Sequence, residues 1–178
     1  MEDTQSNELD LGRIAGLQLT ASNSALLGSL ILWVVLGALV VIFLQLAVIE
    51  GVALGLVGVV LHWIAVLCHQ IGHSRAARKA GYPMVGVRLW GLLSSSIYPP
   101  DEPDIPTEIH IRRALGGPML SFILSVIFGL LLLLLPSGTY QWWADFFFAA
   151  DNFFVFTIGS LLPLGFTDGS TILRLRSK

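Results

Sequence analysis

Between residues 25 and 49 the sequence carries no Asp, Glu, Lys or Arg, and that run restricts the possible folds more than any other feature. A hydrocarbon core about 30 Å thick calls for roughly 20 apolar residues of helix, with every backbone polar group satisfied inside the segment. Residues 52–68 and 114–135 form two further uncharged runs, the second ended by Pro136. A fourth lies between residues 144 and 163, where Asp151 and Asn152 blur one end. Asn23 and Ser24, just ahead of the first run, are good helix starters. Composition agrees: 54% of the 178 residues are hydrophobic and 12% charged, with a mean hydropathy of +0.77, far from a soluble domain. The reading is an α-helical polytopic membrane protein of about four transmembrane helices, at about 25–49, 52–73, 114–135 and 144–163. Residues 1–24 form a polar cytoplasmic arm, and residues 25–178 a single membrane-embedded core.

Four spans put both termini and the segment 74–110 on one side. All ten Lys and Arg fall there, among them Arg75, Arg78, Lys79, Arg112 and Arg113. By the positive-inside rule that side is the cytoplasm. The opposite side is left with a turn near Glu50 and the 136–145 loop, where Asp145 and Asp151 are the other charges. Tyr140, Trp142 and Trp143 are placed there as an interfacial aromatic belt. The arm lacks the positive flank and cleavage site of a signal peptide and is expected to be retained. The expected localisation is an integral, multi-pass position in a prokaryotic cell membrane. The single cysteine, Cys68, has no internal disulfide partner and reads as a packing residue.

Within the cytoplasmic segment, "MVGVRLWGLLSSSIY", residues 84–98, is too apolar for a solvated loop and too short to span as a helix. Gly86 and Gly91 divide it into two runs of β-type residues, so it reads as a short membrane-associated β hairpin. Non-helical backbone at membrane depth is tolerated only inside protein or along a wet cavity, and a cavity is implied. The proline-rich acidic linker "PPDEPDIPTE" follows.

The stretch "CHQIGHSRAARKAG" closes the second run. On a helix, His69 and His73 share a face and can turn their rings to one ion. A catalytic zinc takes three protein ligands and leaves one position open. Ionisable residues at membrane depth are expensive and few, and Asp168, in "SLLPLGFTDGS", is the best third ligand. The four-span topology brings it to the level of the histidines. Pro163, Gly165 and Gly169 around it are expected to unwind the helix there. A capping Asp in a helix-ending Pro/Gly cluster, and a histidine pair that only hydrogen bonds inside a bundle, remain the plain alternatives. His62, two turns from His69, reads as a buried hydrogen-bonding or access-path residue, and His110 as interfacial.

Here the sequence resembles the site-2 protease family of intramembrane zinc metallopeptidases. "HQIGHSRAARKAG" resembles the family's HExGH motif. "RRALGGPML", with Gly117 and Pro118, resembles its GP element, and "LLPLGFTDG" matches its spacing from Pro163 to a ligand Asp168 and Gly169. The resemblance runs from about residue 50 to 172. It implies a buried Zn2+ on His69, His73 and Asp168, and cleavage of transmembrane segments of single-span membrane proteins, as in regulated intramembrane proteolysis. It further implies that Gly86 and Val87, in the β element, and Ser121 and Ser160 are substrate-binding, an unwound substrate adding as a strand. The loop is too short for the PDZ domain many relatives carry, so the likeness is to a minimal, PDZ-lacking branch.

The departures from the motif concern chemistry. Gln70 stands where the family has its general-base glutamate, Ser121 where GPxxN has asparagine, and Ser160 where asparagine often precedes the proline. An amide resembles a carboxylic acid in shape but accepts no proton, and general acid/base help is worth about 10² to 10⁴-fold in rate. Folding and zinc binding are expected to survive while catalysis is lost. Either Gln70 replaces a glutamate so as to trap an inactive enzyme, which the otherwise intact apparatus favours, or the chain is a pseudoprotease that captures membrane helices without cleavage. A channel or transport subunit with a polar path through His62, His69, His73, Asp151 and Asp168 would be expected to show internal repeats, and none is seen. The basic residues are explained by topology and by lipid phosphates, so no nucleic-acid partner is expected. Gly55, Gly58, Gly116 and Gly129 permit close helix approach within or between chains, leaving the oligomeric state open.

Overall fold

A computed structural model describes residues 8–176. By internal contacts the described residues form two compact units, residues 8–60 with 84–99 and residues 61–83 with 100–176.

In the first unit, β1 (Glu8–Ile14) and β2 (Leu17–Ser22) form an antiparallel hairpin closed by Ala15 and Gly16, both at positive φ (52° and 82°). That backbone suits a two-residue hairpin turn. The polar arm of the sequence reading is thus folded for most of its length. Leu17, Leu19 and Ala21 alternate inward and are buried. The expected hairpin at 84–98 forms as β3 (Gly86–Trp90) and β4 (Leu93–Ile97), turning at Gly91. β3 also pairs in parallel with β2, Gln18 opposite Gly86 through Ala21 opposite Leu89, so the sheet has four strands in the order β1-β2-β3-β4.

Two helices link β2 to β3. The first, α1 (Asn23–Leu44), ends at Gln45, which is left-handed at φ 54°. The second, α2 (Val48–Lys79), is 32 residues long, or about 48 Å at 1.5 Å per residue. The turn expected near Glu50 lies earlier, at residues 45–47. Glu50 instead sits in the first turn of α2, where its carboxylate accepts the Ala47 N–H (2.9 Å), and a carboxylate there satisfies an otherwise open helix-start donor. The two helices come close where Gly37 faces Gly51 and Gly55, and the Trp33 indole donates to the Val52 carbonyl (2.8 Å).

The second unit holds the C-terminal part of α2, α3 (Thr107–Leu131), α4 (Tyr140–Ala150) running on as a π-helix (Asp151–Gly159), and α5 (Asp168–Arg176). The third apolar segment therefore starts and ends earlier as a helix than its uncharged run. Gly72 of α2 and Gly116 of α3 bring their backbones into close contact, and Ala65, Val66, Ala77, Ala114, Phe148 and Phe156 lie in the core. Among the described residues, three helices, α1, α2 and α3, are long and apolar enough to cross a membrane. The fourth apolar segment starts earlier than expected, because Thr139 caps α4 by accepting the Trp142 N–H (3.2 Å). Tyr140, Trp142 and Trp143 are therefore helical. Asp145 and Asp151, read from sequence as charges of the outer face, are buried.

Candidate metal centre

His69 and His73 are one turn apart on α2 and both buried. Their Nε2 atoms face each other at 2.9 Å. Asp168, the first residue of α5, brings Oδ2 to 3.4 Å from each of them. In a tetrahedral zinc site with bonds of about 2.0–2.1 Å, ligand atoms are about 3.3–3.4 Å apart. Two of the three separations match that edge and the third is slightly shorter.

The outer nitrogens are held in turn. His73 donates from Nδ1 to the Arg113 carbonyl of α3 (2.8 Å), so its Nε2 presents a lone pair to the centre. Nδ1 of His69 meets the Ser121 hydroxyl, also on α3 (3.1 Å). Such outer partners set ring orientation and tautomer at metal sites. When His69 likewise donates from Nδ1, to the Ser121 hydroxyl, two imidazole lone pairs and a carboxylate oxygen turn to one point with no donor between them, and a divalent cation satisfies all three. The donor set fits zinc.

Two glycines make the geometry possible. A Cβ on Gly117 would meet the Nε2 atoms of both histidines, at 2.6 Å for His69 and closer still for His73. The backbone of α3 therefore passes where only glycine leaves room. A Cβ on Gly169 would collide with the Leu161 carbonyl, so the turn that delivers Asp168 closes on its own preceding helix. In that turn Gly165 has φ 92°, its N–H donates to the Ser170 hydroxyl (2.6 Å), and the Thr167 hydroxyl bonds the Leu162 carbonyl. The unwinding expected around Pro163 is present.

Gln70 is buried between the two histidines in sequence. Ser160 donates to the Phe156 and Thr157 carbonyls of its own helix (2.8 and 3.1 Å). Gly86 and Val87 belong to β3 in the other unit, opposite Ile97 and Ser96 of β4 and Gln18 and Leu19 of β2. Sequence reasoning missed Arg113 in its local role: the guanidinium is buried and bound by both Glu102 oxygens (2.9 and 3.0 Å), which ties the proline-rich linker to the residue whose carbonyl orients His73.

Fold and cluster together define a class, a mostly helical membrane protein with a buried centre of two histidines and one carboxylate. Among solved structures the chain is similar to the site-2 protease from Methanocaldococcus jannaschii, with a TM-score of 0.66 over 96% of this chain and 71% of that one, at 20% identity. It shares that protein's fold. No family model and no curated protein matches the sequence.

Proposed function

We propose that the chain is an intramembrane metalloprotease of the site-2 type, a zinc-dependent endopeptidase fold for transmembrane segments of single-span membrane proteins. The observation that carries the reading is the convergence of His69, His73 and Asp168 within a fold shared with a site-2 protease. The apolar helices support multi-pass insertion, and the distribution of basic residues supports cytoplasmic termini.

Bound by these three residues, zinc would supply Lewis-acid activation of water and of the scissile carbonyl. The chain's own groups supply part of the rest. Ser121 and the Arg113 carbonyl hold the rings, and the apolar surroundings exclude bulk water, which strengthens each electrostatic contact. Gln70 follows His69 directly, where the base must act. Its amide can hold a water by hydrogen bonding, but no proton moves to it, so the step that carries a proton from water to the leaving nitrogen lacks its carrier. The chain as it stands is catalytically impaired.

Gln70 also favours one second reading, a zinc-binding pseudoprotease that captures membrane helices without cutting them. Both readings require the metal. Purified chain in detergent is expected to retain one zinc per molecule by elemental analysis, and Asp168→Ala and His73→Ala to lose it. Metal-free chain under zinc-replete conditions would sink both. Gain of cleavage on Gln70→Glu separates the protease from the pseudoprotease.

A further inference from the structure

Outside the metal centre, the second unit buries another polar pair. His62, two turns before His69 on α2, donates from Nδ1 to Oδ2 of Asp151 (3.1 Å), and both side chains are buried. Hiding such a pair among apolar helices is costly. Asp151 is where α4 widens into the π-helix. The wide turn is visible in its bonds: the Ser160 N–H reaches the Val155 carbonyl five residues back, and the Thr157 hydroxyl donates to the Asn152 carbonyl (2.8 Å). Asn152, fully buried, uses its amide to bond the Phe148 carbonyl (2.9 Å).

The π segment touches the metal centre directly. The Phe156 ring lies 5.5 Å from the His62 ring and 5.5 Å from the His69 ring, so one side chain rests on both the buried pair and a ligand. Beyond the segment come Ser160, Pro163 and the turn that presents Asp168. Each residue of helical register gained or lost turns the downstream chain by about 100°. A π segment, with its extra residue per turn, therefore sets the direction in which the helix delivers Ser160 and the start of the turn that leads to Asp168.

We propose that the His62–Asp151 pair is a positioning clamp, which fixes the π segment against α2 at its entry and thereby sets the affinity and geometry of the His69, His73 and Asp168 centre. This rests on the metal reading above. His62 and Asp151 are positioning residues, acting through Phe156 and the chain leading to Asp168.

The test is Co2+ titration of the purified metal-free chain in detergent, reading the visible absorption bands that report coordination geometry, alongside the unfolding midpoint of the metal-free protein. Four proteins are compared: the chain itself, Asp151→Asn, which keeps an acceptor for His62, the double variant His62→Leu with Asp151→Leu, and Asp168→Ala. Removing both polar partners together leaves neither half of the pair buried, so the fold is expected to hold. The clamp predicts tetrahedral bands in the chain and in Asp151→Asn. In the double variant it predicts affinity reduced at least about tenfold, as for supporting residues of metal sites, with altered bands and little change in midpoint. Parental affinity and spectrum in the double variant would overturn the clamp while leaving the metal reading intact. Weakened binding that merely follows a lowered midpoint would also overturn it, as an ordinary packing effect. Absent bands in the chain itself would overturn the metal reading, and the clamp with it.

Discussion

Gly117 occupies a tight position at the centre, because its backbone lies against the Nε2 atoms of His69 and His73 and leaves no room for a methyl group. Alanine is a better helix former than glycine by about 1 kcal/mol, so Gly117→Ala is expected to keep the helical circular dichroism. Its zinc affinity should fall beyond the roughly 10–100-fold range typical of outer-shell changes. Ser121→Ala makes a milder test. It removes the hydroxyl beside Nδ1 of His69, and competition with a chelating dye should show zinc held about 10-fold more weakly. His69, His73 and Asp168 were legible in the sequence because an i, i+4 pair and a Pro/Gly-broken helix end are local patterns. The supporting contacts were not. Ser121, a substrate contact by its motif position, bonds Nδ1 of His69, which leaves that role untested. The Arg113 carbonyl is a backbone group that no sequence pattern marks, and Asp151 is 89 positions from His62.

At the scale of elements, the β hairpin at 84–98 was readable from its two β-type runs and its glycines. Its parallel partner β2 was not, since two long helices separate the strands. The alternation of Leu17, Leu19 and Ala21 was an available signal, masked by the polar composition around it. The π geometry of 151–159 left no trace in an apolar run where every helical form buries similar side chains. The linker offers a direct test. Arg113 is 5% exposed and Glu102 17%, and removing one partner of a buried pair costs about 3–5 kcal/mol. Glu102→Ala is expected to lower the unfolding midpoint in detergent markedly and to weaken zinc binding, because Arg113 also presents the carbonyl that orients His73. An unchanged midpoint would mean that the linker is not anchored there.

For the whole molecule, the fold likeness and the three apolar helices agree on a membrane protein, and the crossing of α3, on which the four-span arrangement depends, has its own test. With Cys68 replaced by alanine, single cysteines at Gly138 and Asp101 are expected to react with a membrane-impermeant thiol reagent from opposite faces, Gly138 from outside and Asp101 only after lysis. Labelling of both from one face would remove the four-span arrangement and the shared level of the histidines and Asp168 inferred from it. Small residues are used mainly within the chain: Gly55 meets α1, Gly58 meets Leu36 and Gly116 meets Gly72, whereas Gly129 has open space beside it among the described residues. On the proposed reading, one side chain, Gln70, separates this chain from an active intramembrane protease. The most direct test is cleavage of tagged single-span reporters of several sequences in proteoliposomes by Gln70→Glu, beside the unaltered chain and a chelator-treated sample. Chelator-sensitive cleavage by the glutamate form alone is the expected result. Intact reporters with both forms, each holding one zinc, would contradict it and leave a helix-capturing pseudoprotease.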